Sequence, residues 1–195
     1  MTRGRRWVIV LAVGGMAGLL LLIAADRFGR PELIGPGLLL FAAGTFAAGI
    51  EIITSRYTYE RNRAGWISDV FTGSAARLIG LALVILAAGI AAAGLSFVLG
   101  RQEELYVFAL ARPGIALVPL GVLMGAFGAA RVIGAREWRG SLWRLLASLP
   151  HRIGGALLLL AGLVAVCVGL AELVAPEAFD EAVDRVLTAA RAGPP

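Results

Sequence analysis

The chain has 195 residues, 59% of them hydrophobic and 16% charged, with a mean hydropathy of +0.84. A soluble domain of this length cannot hide so much apolar surface in one core, so a soluble globular fold is excluded and a bilayer is the natural solvent. The net charge is +5 and all eighteen basic residues are Arg; they gather at the ends of apolar runs, where they set membrane orientation, so no nucleic-acid partner is expected.

Five runs are long enough to cross a hydrocarbon core of roughly 30 Å as helices: residues 7–25, 33–53, 78–99, 115–133 and 153–175. The whole chain therefore reads as one all-α transmembrane domain, an integral membrane bundle of five crossings spanning 1–195. Arg3, Arg5 and Arg6 precede the first run, and Ala24-Ala25 resembles a signal-peptide cleavage site. The apolar stretch is too long for the core of such a peptide, so it is read as a crossing.

The second crossing carries Glu51 close to its cytoplasmic end. After it, Trp66, Ile67, Val70 and Phe71 stand among Arg56, Arg61 and Arg63. This mixture predicts a short helix lying in the membrane interface, the alternative being a loop folded over the bundle. The third crossing is apolar throughout. In the fourth, Pro119 is a candidate kink, because proline removes one backbone donor and crowds the preceding turn; Arg131 lies near its cytoplasmic end. Trp138, Leu142, Trp143, Leu146 and Leu149 then predict a second interfacial helix. The fifth crossing holds Cys167, and Glu172 sits near the outer surface where water would reach it. Pro176 opens a tail in which Phe179, Ala182, Val183, Val186, Leu187 and Ala190 recur at helical spacing, with Glu177, Asp180 and Glu181 at its start. That pattern predicts an amphipathic helix over 177–190, either on the outer membrane surface, against a partner, or capping the bundle.

With the N-terminus in the cytoplasm, twelve of the arginines fall on that side and six on the other, as the positive-inside rule requires. The C-terminus is then periplasmic or extracellular, and the chain a multi-pass protein of a bacterial cytoplasmic membrane.

The chain also resembles itself. Pro36-Gly37 with Gly44 matches Pro113-Gly114 with Gly121, and Arg77, Gly80, Gly94 and Leu95 match Arg152, Gly155, Gly169 and Leu170. Crossings two and three thus read as a copy of crossings four and five, a parallel hairpin repeat. Chance similarity between Gly-rich helices competes with that reading. Taken as Gly-rich hairpins, with Gly44 and Gly49 in the second crossing, Gly121, Gly125 and Gly128 in the fourth, and the run Gly155 to Gly169 followed by Pro176, the chain resembles the HdeD-type acid-resistance membrane proteins. The resemblance implies three hairpins, the amphipathic tail standing where a sixth crossing would be, and a role in envelope or acid stress. It implies no catalytic residue.

Chemistry is sparse. His151 is the sole histidine and Cys167 the sole cysteine, and no phosphate loop or metal-spaced cluster occurs, so no catalytic residue, metal or cofactor is expected. Charges in or beside hydrocarbon are costly and invite a functional reading. Glu51 and Arg131 fall at similar depth in the two copies, which predicts an ion pair latching them, the alternative being that each reaches separately to the water interface. Gly14-xxx-Gly18, Gly44-xxx-Ala48, Gly89-xxx-Ala93 and Gly121-xxx-Gly125 offer small faces for close helix contact. Two functions fit. One is a non-enzymatic protein that acts by association, as a stress factor or accessory subunit, with the lipid bilayer and a membrane-protein partner or copies of itself as its contacts. The other is a small oligomeric transporter or channel gated at Pro119 and the Glu51/Arg131 level.

Overall fold

A computed structural model describes residues 3–61, 67–133 and 142–192 and, within these, the side chains of 13–59, 70–133, 149, 151–185 and 188. The described residues form seven α-helices and one β-hairpin. The order is α1 (Arg3–Phe28), a 3-10 turn at Pro31–Leu33, α2 (Ile34–Ser55), the strands β1 (Tyr57–Arg61) and β2 (Ile67–Thr72), and α3 (Ser74–Val98). Then come α4 (Gln102–Ala111), α5 (Gly114–Ile133), α6 (Leu142–Val174) and α7 (Pro176–Ala192). Four stretches among the described residues are long and apolar enough to cross a membrane: Pro31–Ser55, Ser74–Val98, Gly114–Ile133 and His151–Val174. The first of the five predicted runs lies within α1, a helix of 26 residues.

The long helices stand in a row. α1 packs on α2, α2 on α3, α3 on α5 and α5 on α6, and the α5/α6 and α2/α3 interfaces are the most extensive. What holds these two antiparallel pairs together is backbone proximity made possible by small residues at seven-residue steps, close to two helical turns, so that each set returns to one face. On α2 the set is Gly35, Ala42 and Gly49; on α3 it is Gly80, Ala87 and Gly94, and all six are buried. A methyl group on Gly49 would stand 2.7 Å from the Gly80 carbonyl oxygen, and one on Gly80 would stand 2.7 Å from the Gly49 carbonyl oxygen. On α5 the set is Gly114, Gly121 and Gly128, and on α6 it is Gly155, Gly162 and Gly169. A methyl on Gly121 would lie 2.7 Å from the Gly162 carbonyl oxygen, and one on Gly162 would lie 2.6 Å from that of Gly121. At such separation the Cα hydrogens face carbonyl oxygens across the seam, and dispersion contacts between backbones replace the side-chain packing of a soluble core.

Three sequence expectations change. The connection from α2 to α3 is a β-hairpin where an interfacial helix was expected. Its strands pair Tyr57 with Thr72, Thr58 with Phe71 and Tyr59 with Val70. Side chains alternate across a strand, so Phe71 turns to the helices while Tyr57 and Tyr59 share the opposite face, their rings 6.3 Å apart. Phe71 is 2% exposed in a cluster with Ala75, Ala76, Ile79 and Ala130. Burying it contributes about 1.5–3 kcal/mol and pins the hairpin against α3 and α5. The base is closed by Gly73 donating its N–H to the Arg56 carbonyl at 2.9 Å; Gly73 adopts φ 65°, a conformation that side chains disfavour. Trp66 lies outside the described residues.

Second, Leu142 to Leu149 do form a helix, but it is continuous with the fifth run: α6 passes through Pro150 and is 33 residues long. Trp138 lies outside the described residues. Third, the segment after α3, expected only as an outer connection, contains α4. Glu103 and Glu104 occupy its first turn, where the helix dipole favours them. The tail is helical as α7 and touches the bundle mainly through α6.

Candidate functional site

The buried charged residue among those described is Glu172, near the C-terminal end of α6, with its side chain 7% exposed. It was expected to be hydrated, and the packing of α5 on α6 explains the difference. The seam at Gly114 and Gly169 brings the start of α5 directly over the last turns of α6. Glu172 Oε2 accepts the Gly114 N–H at 2.9 Å. Arg112 approaches from the loop before α5, with Nη1 3.9 Å from Glu172 Oε1 and donating to the Glu172 carbonyl oxygen at 3.4 Å. The carboxylate thus occupies the N-terminal end of α5, where free N–H groups and the helix dipole favour an anion. One oxygen is committed to a backbone donor and the other faces a guanidinium that is a third exposed. This arrangement clamps two helices. It does not present a base or nucleophile to an open surface, as acid–base or covalent catalysis would require.

Glu51 on α2 is half-buried, as is Arg131 on α5. They belong to helices on either side of α3 in the row. The Glu51 carbonyl accepts from Thr54 Oγ1 at 3.0 Å, and the Arg131 Cβ lies beside Gly155 of α6, at the end of the α5/α6 seam away from Glu172. Ion pairs between described side chains include Arg30 with Glu32, Arg101 with Glu104, Arg112 with Glu172 and Arg185 with Glu181. Pro119 sits inside α5, between Val118, which packs against Gly169, and Gly121, which packs against Gly162. Cys167 and His151 are exposed on α6. Among the described residues no three His, Cys, Asp or Glu side chains come together as a metal site would need.

Three hydroxyls within the apolar helices are satisfied locally. Thr45 Oγ1 donates to the Phe41 carbonyl at 2.9 Å, Thr54 Oγ1 to that of Ile50 at 2.9 Å, and Ser96 Oγ to that of Ala92 at 3.1 Å. Each closes a bond within its own helix, so none is turned toward a shared polar path.

An open groove of about 390 Å³ runs along the α2/α3 pair, lined by Leu39, Ala42, Ala43, Phe46, Ala87, Ala88 and Ala91. At matching positions beside the α5/α6 seam stand Val122, Leu163 and Val166, bulkier than Ala43, Ala88 and Ala91. The groove lies where three small side chains stand beside the α2/α3 seam. Sequence reasoning found the small faces but assigned Gly37 and Gly44 to the hairpin repeat. In the structure these two look the other way: a methyl on Gly37 would meet Gly18 and Leu22 of α1, and Gly15 of α1 lies against Gly44. Gly35, Ala42 and Gly49 are the residues that meet α3 as Gly114, Gly121 and Gly128 meet α6. The heptad spacing was the signal that would have found them.

No family model matches the chain, and neither a curated protein nor a solved structure matches it.

Proposed function

We propose that this is a non-enzymatic protein of a bacterial cytoplasmic membrane that acts by association, as an envelope- or acid-stress factor of the HdeD kind or as an accessory subunit. The observation that carries this reading is the open row of helices. Among the long helices α6 packs mainly on α5, and Leu157, Leu160, Leu163 and Val164 stay exposed along it. At the other end α1 leaves Met16, Leu20 and Ile23 exposed. The row has two apolar edges available to another membrane protein or to a second copy, and the hydroxyls of Thr45 and Ser96 inside the spans are turned back on their own helices. Small residues let such edges approach closely in a bilayer, where van der Waals contact drives helix association.

In this proposal α1 is the fifth crossing, the N-terminus and the β-hairpin are cytoplasmic, and α4 and α7 are on the opposite side. The arginine distribution supports that orientation. The α2/α3 and α5/α6 pairs are two copies of one hairpin in parallel orientation. This is supported by the matched steps of seven and by the placement of Phe97 and Val98 against Gly35, where Glu172 and Leu173 stand against Gly114.

The test is extraction from native membrane into lipid discs without detergent, followed by mass measurement of the intact particle. A particle heavier than one chain, of fixed stoichiometry, supports association. A single chain per disc overturns it, and so does ion or solute flux through reconstituted protein.

A further inference from the structure

α6 and α7 are joined without slack. Ala175 donates to the Ala171 carbonyl at 2.9 Å, ending α6, and its own carbonyl accepts from Phe179 at 3.0 Å, beginning α7. Pro176, at the first position of α7, lacks an N–H and tolerates the place where a helix has no partner for one. If α6 crosses the bilayer, the first turn of α7 is therefore held at the membrane surface by one residue of chain. α7 has 17 residues, about 25 Å of helix. A helix folded back along the bundle would meet several elements over that length, whereas α7 meets mainly α6.

The two sides of α7 differ sharply. Phe179, Ala182 and Val183 fall on one side, and Val183 is 38% exposed with no bundle helix laid over it. Glu177, Asp180, Glu181, Asp184, Arg185 and Thr188 fall on the other, where Arg185 Nη2 pairs with Glu181 Oε1 at 2.6 Å. α4 belongs to the same end of the bundle, since it links the end of α3 to the start of α5, and it exposes Tyr106, Val107 and Leu110.

We propose that α7 lies in the plane of the membrane, its Phe179/Val183 side sunk into the leaflet at the C-terminal end of α6. The occupant of the apolar face is the bilayer the chain already spans. Tethering removes most of the entropy cost of surface binding, so apolar burial alone suffices. Acidic residues outnumber basic ones on α7, so the contact does not draw on anionic lipid, unlike the Arg- and Lys-rich helices that need it.

This inference rests on the reading of α6 as a crossing, and the experiment separates the two. In full-length Cys167→Ser protein reconstituted in zwitterionic vesicles, single cysteines at Phe179, Val183, Asp180 and Asp184 carry nitroxides, with one at Leu163 on α6 as the control. Accessibility is read to oxygen, which concentrates in lipid, and to a water-soluble nickel chelate. Labels at 179 and 183 are expected to favour oxygen and those at 180 and 184 the chelate, unchanged when anionic lipid is added. If 163 favours oxygen while all four α7 sites favour the chelate, α7 is off the membrane and the inference fails. If 179 and 183 are shielded from both reagents, protein covers that face and the inference fails again. If 163 itself favours the chelate, the reading of α6 as a crossing fails first.

Discussion

The α2/α3 and α5/α6 hairpins are built on the same seven-residue ladder and closed differently at their ends. At the middle rung the first has Ala42 and Ala87 and the second has Gly121 and Gly162. At the end nearer α4, Gly35 is packed by Phe97 and Val98, where Gly114 is packed by Leu173 and bonded by Glu172, with Arg112 behind it. At the opposite end the first hairpin is anchored by Phe71 from its β-connection. The same helix geometry thus tolerates an apolar closure at one site and a buried carboxylate at the other. The difference follows from backbone exposure: the Gly114 N–H at the start of α5 needs an acceptor, and a buried donor left without one is costly.

Substitutions measure that difference. The largest effect expected is from Phe71→Ala, which empties the cluster under the β-hairpin and costs about 3–5 kcal/mol, whereas Tyr59→Ala on the outer face costs less than about 1 kcal/mol; unfolding midpoints in mild detergent compare them. Next is the middle rung. Gly162→Ala drives a methyl into the Gly121 carbonyl and costs about 1–3 kcal/mol. Ala87→Gly at the matching position costs only the helix propensity of about 1 kcal/mol. Equal losses at the two positions would mean that the second seam is no tighter than the first.

Glu172→Ala, which strands the Gly114 N–H, costs about 1–2 kcal/mol, and Glu172→Gln, which keeps an acceptor, costs less; Phe97→Ala leaves no donor unmet. Amide exchange at residues 114–117 reads the first of these directly. The smallest effect belongs to α4. The hydrogen bond from Arg101 holds the Glu104 carboxyl below its ordinary range. Its contribution is then present above the unfolded carboxylate pKa and lost as the pH falls through the lowered folded value. Both groups are fully exposed, so the change is small and salt-sensitive. It should appear as faster exchange in the first turn of α4 on acidification and vanish in Glu104→Gln.

Much of this architecture is written in apolar length and spacing. The four long apolar helices follow from runs that only a bilayer or a very large core could accommodate, and the tail from its 3.6-residue period. The β-hairpin was equally legible in principle, since Tyr57-Thr58-Tyr59 and Val70-Phe71-Thr72 alternate and are rich in β-formers, with Gly65 between them. Aromatic and basic residues near a membrane suggest an interfacial helix just as readily, and composition prevailed over period. The continuity of α6 through Pro150 was hidden because proline marks a probable boundary and not an obligatory one. Glu172 was misjudged for a different reason. Depth along one helix says nothing about which neighbour covers it, and Gly114, fifty-eight positions earlier, is brought there only by the seam.

The seven-residue seam joins both hairpins, and in α2/α3 its register is open to direct measurement. In native membranes, on a Cys167→Ser background, cysteines at Ala42 and Ala87 should form a disulfide on mild oxidation, while cysteines at Gly44 and Ala87 should not, because Gly44 faces α1. A disulfide between positions 44 and 87, with none between 42 and 87, would contradict it.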